Sequence, residues 1–237
     1  LLNWELVNQL SMTITEDQIL DRLNSDKPIL IESTWLESVY SLDLSIELRS
    51  IIGERLGLLA DKGWEVTKGL INKHGCQPEL IHAAGLCHQR GAYNFLLKFL
   101  AQQKKPEINT VRALACWGAI LPIEELKRIL TDDSMQMRLA GLNLLSFKLH
   151  LISETDLCEL VDDLLDDFRE EVVIQSIKIL QRRNEERIIR RISKVSMNGT
   201  DKIVETALIA LGSIGTEYSA LKLSELCEKL TNKNHKK

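Results

Sequence analysis

One helical pattern recurs along this chain about every 30 residues. It reads Ile52-Gly-Glu-Arg-Leu-Gly57, Ala113-Leu-Ala-Cys-Trp-Gly118 and Ala207-Leu-Ile-Ala-Leu-Gly212, with weaker copies at Ala140-Gly-Leu-Asn-Leu-Leu145 and Ser176-Ile-Lys-Ile-Leu-Gln181. Ala83 heads a further copy, so the first positions fall at 52, 83, 113, 140, 176 and 207. A fixed period of this size means stacked supersecondary units, none large enough to bury its own apolar face. Strand-like alternation is essentially absent, so the expected fold class is all-α. Small residues at the repeated first position let neighbouring helices cross closely, because a packed interior tolerates little extra volume. The Gly that closes the motif is expected to serve the tight turn between paired helices.

Six helix pairs follow from this pattern: 44–60 with 63–73, 77–88 with 91–102, 107–118 with 122–131, 134–147 with 153–166, 169–181 with 185–197, and 201–213 with 216–229. Gly75 is an expected helix stop, and Pro78 and Pro122 are expected starts. Asp133-Ser134 and Gly199-Thr200 supply capping and turn residues between units. Thr15 with Gln18 reads as a capping box before Ile19-Leu-Asp-Arg-Leu23, and Pro28 is placed in the first turn of a helix running to about Tyr40. Residues 1–43 carry no repeat signature and are expected to form an N-terminal helical cap. Residues 44–230 are expected to be one continuous repeat domain and 231–237 a flexible tail.

The stretch Ala207-Leu-Ile-Ala-Leu-Gly-Ser-Ile-Gly215, followed by Ala220-Leu-Lys-Leu-Ser-Glu-Leu226, resembles short HEAT repeats, in which Ala-Leu-x-x-Leu-Gly precedes a second helix. Ala113–Gly118 does the same. Val111-Arg112 matches the Val-Arg found between such repeats, while Met137-Arg138 and Val172-Val173 match it loosely. The short period is similar to that of the HEAT-repeat phycobilisome lyases. This resemblance covers about 44–229 and implies a right-handed α-solenoid of about six HEAT-like helix pairs.

A net charge of −4 argues against a general nucleic-acid binder, whose field is basic. With 5% aromatics, it also disfavours the DNA glycosylases built on similar solenoids. No stretch approaches 18 consecutive apolar residues, so no membrane span is expected. The five cysteines are odd in number, irregularly spaced and without CxxC, which suggests a reducing compartment and a cytoplasmic location. The first residue is Leu, and the natural start is expected to lie upstream.

The sharpest charged feature is Arg182-Arg-Asn-Glu-Glu-Arg-Ile-Ile-Arg-Arg-Ile-Ser-Lys194. Arg183, Arg187, Arg190, Arg191 and Lys194 recur at helical spacing, beside an apolar stripe of Ile188, Ile192 and Val195. Such a strip suits an acidic partner, since guanidinium groups grip carboxylates or phosphates in bidentate fashion. The competing expectation is that it neutralises the acidic helix before it, with Glu154, Asp156, Glu159, Asp162, Asp163, Asp166 and Asp167. Trp117 is expected as core filling or, with Tyr93, as the wall of a groove. His74, Cys76, His82, Cys87 and His88 lack the tight paired spacing of a zinc site, and no metal is expected. Cys87 and His88 point about 100° apart on a helix and do not form a dyad. No GxSxG, Walker, HExxH or GxGxxG motif occurs, and no catalytic residue is assigned.

The expected function is a protein–protein interaction module or adaptor that grips another protein on its concave face, without a cofactor. The resemblance implies an alternative, a phycobilin lyase or chaperone. Its ligand would be a phycobilin, its partner a phycobiliprotein subunit, and Arg183, Arg187 and Arg190 its candidate propionate contacts.

Overall fold

A computed structural model describes residues 14–25 and 31–234, with side chains to 229. Among the described residues the chain is all-helical, with no strand. It divides into two compact units. Unit 1, Leu1–Trp117, contains α1 (Glu16–Ser25), α2 (Ser33–Val39), α3 (Ile46–Leu58), α4 (Ala60–His74), α5 (Pro78–Leu86), α6 (Arg90–Gln102) and α7 (Ile108–Trp117). Unit 2, Gly118–Lys237, contains α8 (Ile123–Leu130), α9 (Met135–Phe147), α10 (Glu154–Leu165), α11 (Glu170–Leu180), α12 (Glu186–Ser196), α13 (Asp201–Ile214) and α14 (Glu217–Asn234). No helix among the described residues is long and apolar enough to cross a membrane.

The helix starts follow local chemistry. Thr15 N–H donates to Gln18 Oε1 at 3.0 Å and Gln18 N–H to Thr15 Oγ1 at 3.3 Å, a reciprocal capping box at the head of α1. The hydroxyls of Ser45, Ser134, Ser153 and Thr200 accept from the third backbone N–H of α3, α9, α10 and α13. Pro78 occupies the first position of α5 and Pro122 precedes α8. Pro28 lies outside the described residues, and the helix after it is α2.

In unit 1 the first helices of successive pairs, α3, α5 and α7, pack on one another, with α4 and α6 alongside them. Ile52, Ala83 and Ala113, the motif's first positions, are fully buried there. The backbones nearly touch: a Cβ on Gly85 would lie 2.6 Å from the Ala113 carbonyl oxygen and 2.7 Å from its Cα. Ile19, Leu23, Leu36, Leu48, Leu56 and Leu70 fill the core beneath. α1 is tied on by Glu16, whose carboxylate accepts from Ser45 N–H and Oγ, and by Arg55, which donates to the Leu23 carbonyl.

In unit 2 the first helices α9, α11 and α13 also pack in succession, and α8 meets α10 while α12 meets α14. Buried Ala140, Ser176 and Ala207 again mark the first positions. Arginines join the connections between pairs. Asp167, whose side chain is almost fully buried, accepts from Arg138 at 2.7 Å and from Arg169 at 2.8 and 2.9 Å. Arg138 also donates to the Asp132 carbonyl and Arg169 to the Asp133 carbonyl. Burial pulls the Asp167 carboxyl upward, but hydrogen bonds and charge from Arg169 and Arg138 outweigh this and hold it below the usual carboxylate range.

The closing Gly of the motif does not play one role. Gly118 has φ +64° and makes the expected turn, but Gly57 and Gly212 sit inside α3 and α13. The turn after α13 falls on Gly215, at φ +69°. Gly57 instead admits the Leu86 side chain, whereas nothing lies within 4 Å of a Cβ on Gly212.

Candidate partner-binding surface

α12 is strongly two-faced. Ile188, Ile189, Ile192, Ser193 and Ser196 are buried, and the opposite side carries the cations. The five candidate residues divide there. Arg183 lies in the turn before α12, where it hydrogen-bonds Glu185 and donates to the carbonyls of Leu149 and Ile152, both at 2.9 Å. The hydrogen bond from Arg183 holds the Glu185 carboxyl below its ordinary range. Arg191 reaches back to α10, bonding Asp162 Oδ1 at 2.8 Å, the Asp162 carbonyl at 3.2 Å and Asp166 Oδ2 at 3.4 Å. Both are half-buried fasteners.

Arg187, Arg190 and Lys194 are exposed. Arg187 and Lys194 make no ion pair among the described residues, and Arg190 donates only to the Glu186 carbonyl of its own helix, at 3.4 Å. Neutralisation by the acidic helix therefore reaches Arg191 alone. The remaining acids are divided: Asp167 serves Arg138 and Arg169, and Asp156 bonds the capping Ser153.

Trp117 and Tyr93 do meet in unit 1, with ring centroids 4.6 Å apart, and the His88 ring lies 5.7 Å from Trp117. Trp117 Nε1 is buried and finds no acceptor among the described residues. Cys87 is buried, and its thiol points at the Leu56 carbonyl, 3.8 Å away. Burial pushes this thiol up to about 12, which makes it a poor nucleophile. Adjacent His88 is exposed, so the two side chains part company. Among the described residues no three His, Cys, Asp or Glu side chains converge as metal ligands.

Sequence reasoning missed one buried polar cluster. Tyr40 Oη donates to Glu79 Oε1 at 2.8 Å, and Arg49 Nη1 lies 3.2 Å from the same oxygen. Burial and the Glu79 bond raise the Tyr40 phenol well above its ordinary value. The available signal was Pro78-Glu79, which puts a carboxylate in the first turn of α5 where the helix dipole favours it. The cluster fastens α2 to α3 and α5.

No protein-family model matches this chain, and no curated protein matches it significantly.

Proposed function

We propose that this chain is a protein-interaction module or adaptor, built as a HEAT-like solenoid, that grips an acidic stretch of its partner along the cation-bearing edge of α12. The supporting observation is the division among the five cations. Arg183 and Arg191 are consumed in fastening, while Arg187, Arg190 and Lys194 share one helix edge and carry no counter-charge among the described residues. Exposed guanidinium groups held on a rigid helix suit bidentate carboxylate contacts. The serial packing of helices within each unit, and the small residues buried at five of the six motif starts, Ala83, Ala113, Ala140, Ser176 and Ala207, support the solenoid reading.

The test is affinity capture of partners from a lysate of the source organism, repeated with Arg187→Glu/Arg190→Glu. Capture lost in the variant, with helicity unchanged by circular dichroism, supports the reading. Equal capture by both proteins refutes it.

The Trp117–Tyr93 pair favours a second reading, in which a planar ligand such as a phycobilin stacks on these rings. A bilin absorbance shift that is lost in Trp117→Ala would carry it; an unchanged spectrum would exclude it.

A further inference from the structure

A second surface on unit 2 is equipped for a different kind of contact. Between α9 and α11 runs an open trough of about 470 Å³. α11 lines one wall with Glu171, Gln175 and Lys178, and Arg182 follows just past the helix end. Glu171, Gln175 and Lys178 recur at i, i+4 and i+7, which puts them on one side of the helix. α9 supplies the other wall, with Leu139, Asn143 and Ser146 at the same kind of spacing.

Three features define what fits. First, the charges are polarised along the trough: Glu171 stands at one end, Lys178 and Arg182 towards the other. Second, the polar groups are unspent. The side chains of Asn143, Glu171, Gln175 and Lys178 make no hydrogen bond or ion pair among the described residues, and Arg182 makes one, to the Ser146 carbonyl at 3.2 Å. This contrasts with Arg183 and Arg191 on the same unit. Third, Asn143 and Gln175 each offer a donor and an acceptor side by side, the same pairing that a peptide group presents.

From these features the geometry points to a docking site for an extended polypeptide segment that carries an acidic and a basic residue three to five positions apart. The helix rise puts Lys178 about 10 Å and Arg182 about 16 Å beyond Glu171. Extended chain covers that distance in about three to five residues. The amides hold the segment's backbone, Glu171 takes its basic residue, and Lys178 with Arg182 takes its acidic one. A polyanion such as nucleic acid would meet Glu171 with like charge along its path. The site is separate from the α12 edge and does not depend on it.

The experiment selects phage-displayed random peptides of about seven residues, enough to cover the trough, on the whole chain. Peptides that also bind Lys178→Glu are removed. Enriched peptides should carry opposite charges three to five apart. One of them, measured by fluorescence anisotropy, should bind Lys178→Glu about tenfold more weakly than the wild type, the size of a lost charge contact. Changing its acidic residue to lysine should restore binding to that variant. Arg187→Glu/Arg190→Glu should leave its Kd unchanged, which separates this site from the α12 edge. No enrichment, enriched peptides without the charge pair, or equal binding to wild type and Lys178→Glu would each overturn the proposal.

Discussion

The two units carry the same repeat motif but are fastened differently. In unit 1 the first helices meet backbone to backbone, as at Gly85 against Ala113, and one buried carboxylate, Glu79, joins α2, α3 and α5. In unit 2 arginines reach from one connection to the next and close on carboxylates and open carbonyls: Arg138 and Arg169 on Asp167, Arg183 on Leu149 and Ile152, Arg191 on Asp162. Local side chains decide how each join is made: a missing Cβ at Gly85, a single cation on an open carbonyl at Arg55 in unit 1, and a series of such cations in unit 2. A cation engaged in fastening is also withdrawn from binding, so the fastening scheme determines which charges a partner meets.

The largest expected break is in unit 2. Asp167→Ala leaves two part-buried guanidinium groups without their shared carboxylate and should cost about 3 kcal/mol in denaturant unfolding. The pH dependence follows from the depressed Asp167 pKa. Its stabilisation is complete above the ordinary carboxylate value and is lost as pH falls through the lowered one. Wild-type stability should therefore fall in acid more steeply than that of Asp167→Ala, and parallel slopes would remove Asp167 from this role.

Unit 1 should break at Gly85→Ala, which forces a methyl against the Ala113 backbone. Overpacking of this kind costs about 2 kcal/mol. Hydrogen exchange should then rise across α5 and α7 and stay unchanged in unit 2; a rise confined to unit 2 would invert the comparison. The smallest effect has the opposite sign. Gly212 lies within α13 with open space around it, so Gly212→Ala should stabilise by about 1 kcal/mol through helix propensity, seen as a raised unfolding midpoint.

Much of the helical scaffold was legible in the chain. The helical spacing of apolar residues marks the chain as all-α, and the capping residues Thr15, Ser134 and Thr200 stand at helix starts. The role of each motif Gly was not, because Gly57 and Gly212 look alike in sequence and differ only in whether Leu86 stands opposite. The same holds for the arginine strip. Helical spacing grouped Arg191 with Arg187 and Arg190, but only the position of α10 shows that Asp162 claims Arg191. Arg183 was grouped as part of the helix face, yet it precedes α12 and serves loop carbonyls brought near by folding. Pro78-Glu79 marks a carboxylate at the head of α5, but nothing local links it to Tyr40, 39 residues away.

The most direct measurement sets a binding cation against a fastening one. Partner capture and thermal unfolding are measured together for Arg187→Glu/Arg190→Glu and for Arg183→Ala. The first variant should lose the partner with its Tm unchanged, while the second should lower the Tm and still capture the partner below its melting range. Loss of the partner in Arg183→Ala with full capture by Arg187→Glu/Arg190→Glu would contradict this division of the cations.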